Sequence, residues 1–453
     1  MSRHRTLWLL RDASTIPDPA ARAGSFRWAV GIEDTFIPQV AASSGRSLDE
    51  YVLTQHDRFW REDLARIGDL GVRYLRYGIP WYRVNPAPGR FDWSWTDDVF
   101  PELHRLGIHP IVDLVHYGAP LWLDGTFLSP SYPDRVAEYA AAVAERYGNL
   151  VRLWTPLNEP RVHAHFAGNT GAWPPYRRGS RGYAQVMVAL ARGMSRTIAA
   201  IRRVRADAVI VHVDALSAGH TADPALQAEV DRSRHHGFMA QELVEGLIGP
   251  ESPTWSWMLA NGVQQSHLEE LRAAPARIDV FGANFYTQMS GFEITGTPGQ
   301  PVHRRRLATA ADLGAVLREA HERTGKPVML TETSLVGTVA SRRRWLEASV
   351  DVVRDLREDG IPVIGYTWFP AFSLVTWAYR RGKRPMEAYL THMGLWNLRG
   401  DGEGTLIREP TGLEGRYAEL ARSGTAAVGE DRVPVGRDSD RDYDQEVPAR
   451  EIA

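Results

Sequence analysis

The fold is most tightly constrained by a unit repeated along most of the chain: a short β-branched or aromatic run, a loop rich in glycine, proline and asparagine, then an amphipathic helix. Runs of strand character fall at 28–32, 74–77, 110–115, 153–157, 209–214, 280–285, 328–331 and 363–368. Helical stretches lie between them, among others at 55–70, 133–147, 183–204, 309–324 and 343–359. In the last of these, Trp345, Leu346, Val350, Val353 and Leu356 recur at three- or four-residue spacing, so one helix face is apolar. Strands that alternate with helices pair in parallel, and eight such strands close a barrel. The predicted fold is α/β, a single (β/α)8 TIM barrel with extended βα loops. A two-domain, doubly wound sheet is the alternative, but no Gly-x-Gly-x-x-Gly turn follows the first run.

The barrel is expected to fill residues 25–423, after an N-terminal tail at 1–24. The segment 424–453 is charged around Arg437-Asp438-Ser439-Asp440-Arg441-Asp442 and poor in large apolar residues, so a disordered tail is expected there. A chain of 453 residues with 43% hydrophobic content can bury a sizeable core. The formal net charge of −2 gives no electrostatic reason to expect nucleic acid or an anionic membrane as partner. The lack of cysteine excludes disulfides, thiolate nucleophiles and cysteine metal sites. No run approaches the roughly 20 apolar residues of a membrane span. The apolar run Leu7-Trp8-Leu9-Leu10 falls short of the roughly 7–15 residues of a signal core, so a cytoplasmic location is expected.

Active sites of such barrels sit at the C-terminal ends of the strands. Those ends offer Glu33 and Asp34, Arg76, His116, Asn158 and Glu159, Asp214, Asn284 and Tyr286, Glu332, and Trp368. Unpartnered, such groups are costly to bury. Two of them stand out. Thr155-Pro156-Leu157-Asn158-Glu159-Pro160 and Met329-Leu330-Thr331-Glu332-Thr333 each place a glutamate at the end of an apolar run. Two carboxyls facing each other across a pocket are the equipment for cleaving a glycosidic bond: one protonates the departing oxygen, the other attacks the sugar carbon or activates water. Trp368 and Trp377 are candidate aromatic platforms for a sugar ring, although many of the 15 tryptophans must be core. His163 and His165 have no evident third ligand, so neither a metal nor a cofactor is expected. The expected partner is a carbohydrate or glycoside substrate; the oligomeric state is left open.

The motifs resemble those of glycoside hydrolase family 1, the β-glucosidase family, from about 26 to 420. The matching stretches include Tyr74-Leu75-Arg76-Tyr77-Gly78, Val112-Asp113-Leu114-Val115-His116-Tyr117-Gly118, the segment around Asn158-Glu159, Gly168-Asn169-Thr170-Gly171-Ala172-Trp173-Pro174-Pro175, Phe281-Gly282-Ala283-Asn284-Phe285-Tyr286 and Leu330-Thr331-Glu332-Thr333. Gly365-Tyr366 through Trp377, and Met393-Gly394-Leu395-Trp396, resemble the closing segments. The resemblance implies a retaining β-glycosidase working by double displacement, with Glu332 as nucleophile and Glu159 as acid/base. It further implies sugar contacts from His116 and Asn158, and Arg76 and Tyr286 as partners of Glu332. A retaining enzyme holds its two carboxyls roughly 5–5.5 Å apart.

The pattern is broken in the sugar-recognition positions. The first strand leads into Gly31-Ile32-Glu33-Asp34-Thr35-Phe36, where the family has a glutamine. Thr376 precedes Trp377 where the family has a glutamate, and Thr333-Ser334 stands for the common Asn-Gly. A sugar other than glucose, a modified sugar or a glycosylated small molecule is therefore the expected substrate. An endo-acting glycanase or transglycosidase of the same clan is the alternative; a non-catalytic sugar-binding barrel is the alternative of another class.

Overall fold

The computed structural model describes residues 26–423, and the two expected tails at 1–24 and 424–453 lie outside the described residues. Eight parallel strands close a barrel: β1 (Arg27–Gly31), β2 (Tyr74–Gly78), β3 (His109–Asp113), β4 (Leu153–Thr155), β5 (Val209–Ala215), β6 (Val280–Asn284), β7 (Val328–Thr333) and β8 (Val363–Trp368). Each strand neighbours the next in sequence, and β1 pairs with both β2 and β8 to close the ring. Each of the eight expected runs is a barrel strand. A helix leads into each following strand: α1 (His56–Asp69), α2 (Thr96–Arg105), α3 (Tyr132–Tyr147), α4 (Gly179–Val204), α5 (Gln265–Ala273), α6 (Ala310–Thr324) and α7 (Val339–Glu358); α8 (Leu413–Ser423) completes the outer ring after β8.

Local chemistry explains several of these boundaries. Pro133 sits in the first turn of α3, where its missing N–H is not needed, and Val136, Ala140, Val143 and Tyr147 form the buried stripe. The Thr309 and Asp312 side chains bond reciprocally to each other's backbone N–H and so cap the start of α6. Ala29, Ile111, Leu153, Val211, Val213, Val280 and Met329 fill the barrel interior, while two larger apolar clusters occupy the shell between strands and helices. No described helix is long and apolar enough to cross a membrane.

Two departures from the sequence reading bear on the site. The fourth run, expected over 153–157, is a strand only through Thr155, and after a break the chain rejoins the barrel through a parallel bridge from Asn158 to Val213. The seventh continues past 331 to Thr333 and is irregular: Leu330 pairs with Ala283, but Glu332 rather than Thr331 pairs with Asn284. The extra residue is a β-bulge, a device that re-aims side chains. Met329 points into the barrel and Leu330 into the outer shell. Without the bulge, Glu332 would follow Leu330 outward.

Candidate active site

At the C-terminal end of the barrel a cavity of about 1150 Å³ is lined at its base by Glu33, His116, Glu159, Asn284, Tyr286 and Glu332. Glu159 and Glu332, from β4 and β7, thus share one cavity, yet their surroundings differ. Glu332 accepts hydrogen bonds from Arg76 Nη1 at Oε1 and from the Tyr286 hydroxyl at Oε2, the latter at 2.7 Å. Glu159 accepts from the Tyr117 hydroxyl and, at 2.9 Å, from Asn284 Nδ2. Burial first, then the Glu332 charge, push the Glu159 pKa up to about 7, against the pull of those two hydrogen bonds.

Behind the cavity wall a continuous network sets these positions. Arg76 is fully buried; it pairs with Glu332 and Asp113 and donates to Asn158 Oδ1 at 3.0 Å. That contact fixes the Asn158 amide, whose Nδ2 lies 3.0 Å from both His116 Nε2 and the Tyr117 hydroxyl. His116 Nδ1 lies 2.6 Å from Asp34 Oδ1; burial works against a charge on the ring, but Asp34 and Asp113 outweigh it and lift the His116 pKa well above the ordinary imidazole range. Burial works against the charge of Asp113, but Arg76 outweighs it and holds that carboxyl below the ordinary range. Thr331 Oγ1 donates to Asn284 Oδ1 at 2.7 Å and turns the amide N–H toward Glu159. Breaking a buried ion pair such as Arg76–Glu332 costs about 3–5 kcal/mol, because the surviving charge stays buried.

The sugar-facing candidates separate into three groups. His116, Tyr286 and Trp377 line the cavity. Arg76 and Asn158 touch the residues that line it, from behind. Trp368 is a correction: it is fully buried, donates Nε1 to the Met393 carbonyl at 3.2 Å, and belongs to the outer-shell cluster with Phe285, Trp345 and Leu395. Pleating sends the next residue, Phe369, the other way. Its ring lies parallel to His116 at 6.5 Å, with the Arg76 guanidinium 5.2 Å from its centre. A Cβ at Gly31 would come within 2.1 Å of that ring, so only glycine fits there.

His163 and His165 point apart: His163 is buried among Tyr117, Phe127 and Trp173, and burial lowers its pKa to about 3, whereas His165 is exposed at the cavity. Asp34, Asp113 and His116 have ligand atoms within 4.8 Å of one another, the spacing a metal would need. Asp113 there is bonded to Arg76, whose guanidinium supplies positive charge at the same place. Sequence reasoning missed Tyr117 and Arg161, although each adjoins or lies near a motif residue; their placement depends on backbone turns that a motif does not display.

Comparison with known proteins agrees with this architecture. The model of glycosyl hydrolase family 1 matches residues 29–314. Beta-glucosidase A of Thermotoga maritima is 25% identical over 367 residues, covering 74% of this chain and 81% of that protein. A 1,4-beta-D-glucan glucohydrolase of Thermotoga neapolitana is 24% identical over 375 residues, covering 74% of this chain and 85% of that one. Among solved structures, the family 1 β-glucosidase from Thermotoga maritima superposes with a TM-score of 0.77 at 19% identity, over 90% of this chain and 99% of that one. The chain belongs to glycosyl hydrolase family 1. It is a glycoside hydrolase of the β-glycosidase type, built on a (β/α)8 barrel.

Proposed function

We propose that the protein is a retaining β-glycosidase whose nucleophile is Glu332 and whose acid/base is Glu159. The observation that carries this reading is the contrast between two buried glutamates on one cavity. Glu332 is paired with a guanidinium and a phenol, as an attacking carboxylate needs. Glu159 forms no ion pair among the described residues and its pKa is raised to about 7, so it holds a proton to give. Glu332 attacks the anomeric carbon as Glu159 protonates the departing oxygen; the C–O bond to the leaving group breaks and a glycosyl ester on Glu332 forms. Glu159, now ionised, takes a proton from the water that attacks the ester, and the sugar leaves with its configuration retained. His116, which lines the cavity, reads the hydroxyls nearest the bond, with the Asn158 amide 3.0 Å behind it.

The sugar itself is read as something other than plain glucose. Glu33, raised to about 7 by burial and the nearby Asp34 charge against the pull of His116, stands at the wall where the family has an amide. Thr376 lines the same cavity with a short side chain in place of a carboxylate. A deoxy, modified or pentose sugar suits such a wall better.

The deciding experiment assays a panel of aryl β-glycosides with the wild type, Glu332→Ala and Glu159→Ala. Glu332→Ala should lose turnover by several powers of ten and regain part of it with azide, giving a product of inverted configuration. Glu159→Ala should spare substrates with good leaving groups. Equal loss on every leaving group, or no azide product, rules out these roles.

A further inference from the structure

The cavity is electrically lopsided. Among the described residues Glu33, Glu159 and Glu332 are its only carboxyl side chains and all lie at the base, whereas Arg161, Arg178, Arg305, Arg380 and Arg381 also line it. None of these five arginines forms an ion pair among the described residues, although the chain as a whole carries a net charge of −2. Arg380 is the most buried of them, but its guanidinium is taken up by the Gln39 and Ala172 carbonyls and the Tyr176 hydroxyl; Arg161, half-buried in the short helix that follows Glu159, is freer. Its Nη1 donates to the Ala215 carbonyl at 3.0 Å and to the Ser217 hydroxyl, which leaves Nε and Nη2 without a partner among the described residues. Beside it Tyr183 is 7% exposed and lines the cavity, and its hydroxyl has no hydrogen-bond partner. The Tyr183 ring stacks on His236, another lining residue, with centroids 5.5 Å apart.

A buried hydroxyl without a partner is costly unless a ligand completes it. The adjacent groups do not cancel the Arg161 charge. Burial, with Arg161 acting in the same direction, brings the His236 pKa down to about 4, so that ring is neutral. Asp214, the nearest acid, is held well above the ordinary carboxyl range by burial and by Glu159. Phe166 and Trp377, edge to face at 5.4 Å, give the cavity an apolar wall.

We propose that the outer half of this cavity is the subsite for a leaving group carrying a carboxylate, held by the Nε and Nη2 face of Arg161 and by the Tyr183 hydroxyl. A planar carboxylate matches the side-on fork of a guanidinium, and Tyr183 adds one donor. This rests on the glycosidase reading above and extends it to the class of aglycone: a glycosylated aromatic acid or an acidic second sugar.

Two aryl glycosides of whichever sugar the enzyme turns over best provide the test: the 4-carboxyphenyl and the neutral 4-carboxamidophenyl derivatives. At low ionic strength the wild type should show a KM roughly tenfold lower for the carboxylate, the scale of a partly buried charge pair, and added salt should narrow the gap. In Arg161→Gln the KM ratio should collapse toward one, and in Tyr183→Phe it should fall part of the way. Free 4-hydroxybenzoate, 4-hydroxybenzamide and glucuronate, titrated calorimetrically, read the subsite without turnover and separate an aryl acid from a sugar acid. Equal KM values for the two glycosides in the wild type, or a ratio that Arg161→Gln leaves intact, overturns the proposal. If no glycoside is turned over, the glycosidase reading fails; binding of either acid but not the amide, lost in Arg161→Gln, then still supports the subsite, and binding of neither acid overturns it.

Discussion

Tyr117 and Glu159 touch each other, and both have left-handed backbone, with φ of 71° and 43°. Only five non-glycine residues among those described do so, and Tyr176, which also lines the cavity, is a third. Such conformations cost on the order of 1–3 kcal/mol each and persist only where the surroundings dictate them. Here the turns aim a phenol at the carboxyl expected to donate the proton. A hydrogen bond to the ionised form favours it, so Tyr117 restrains the rise of the Glu159 pKa. Tyr117→Phe should therefore move the alkaline limb of the kcat/KM profile upward from near 7, by up to about one pH unit, while Glu159→Gln should abolish that limb. A limb that stays put or moves down would show that some other group titrates there. Specificity is argued at the same scale. Thr376→Glu alone would add an acid close to Glu33 and to Glu50, whose Oε2 accepts from the Val375 N–H at 3.1 Å. The fair test is Glu33→Gln combined with Thr376→Glu, which should raise the glucoside-over-xyloside ratio of kcat/KM roughly tenfold, within the 1–3 kcal/mol of one buried polar contact. A wild type that already prefers glucosides strongly would sink this reading of the wall.

Among the elements, β7 does most to turn sequence into site. Its bulge lets Thr331 and Glu332 both face inward, so that Thr331 positions Asn284 while Glu332 meets Arg76. Thr331→Val keeps the shape and removes the hydrogen bond that orients the Asn284 amide. Turnover of substrates with poor leaving groups should fall about five- to thirtyfold, from 1–2 kcal/mol of lost orientation, with little change in Tm. Deleting residue 331 restores regular pairing, in which Glu332 follows Leu330 directly and still faces inward, so the deletion should cost about as much as Thr331→Val; a far larger loss would show that the bulge itself is needed. The barrel strands were legible because parallel strands covered on both faces are near-continuous apolar runs. That same property hid the facing of their last residues. Leu330, Trp368 and Phe369 all look alike as apolar strand ends, so neither the bulge nor the inward turn of Phe369 could be read, and Trp368 was assigned to the wrong face. Glu159 and Glu332 were legible because their motifs carry type and order; Tyr117 and the Arg161–Tyr183 pair were not, because Tyr117 reaches the cavity on a turn with positive φ and the other two on helices whose packing no motif displays.

Across the whole molecule, the base of the barrel holds more acid than its cations neutralise. Glu33 and Glu159 are raised to about 7, and burial lifts Glu50 and Asp214 well above the ordinary carboxyl range. Below about pH 4.5 these groups are protonated in folded and unfolded chains alike. Between there and about 7 the unfolded chain releases protons that the barrel keeps, so the stability they contribute falls as pH rises through that window. The opposite sign belongs to Asp63 and Asp113. Burial pushes each upward, but His56 and Arg408 hold Asp63 down and Arg76 holds Asp113 down, so their contribution is lost as pH falls below about 4. The buried neutral histidines His163, His212 and His236, lowered by burial to about 3, 4 and 4, act against the raised carboxyls below about pH 6.5, because the unfolded chain takes up protons that they refuse. Above about 6.5 their contribution is complete, so the raised carboxyls leave stability declining toward pH 8, and a Glu33 variant compared with wild type isolates the carboxyl from the histidines. A carboxyl held near 7 rather than 4.5 accounts for at most on the order of 3 kcal/mol of that decline. Glu33→Gln, which cannot ionise and keeps an acceptor for the Thr35 hydroxyl 2.6 Å away, should gain in Tm relative to wild type between pH 5 and 8 and be several degrees more stable than wild type at pH 8. The measurement is a series of thermal melts at constant ionic strength. Parallel Tm curves for the two proteins would mean that Glu33 is already ionised in the folded barrel, and that its wall presents a full negative charge to the sugar.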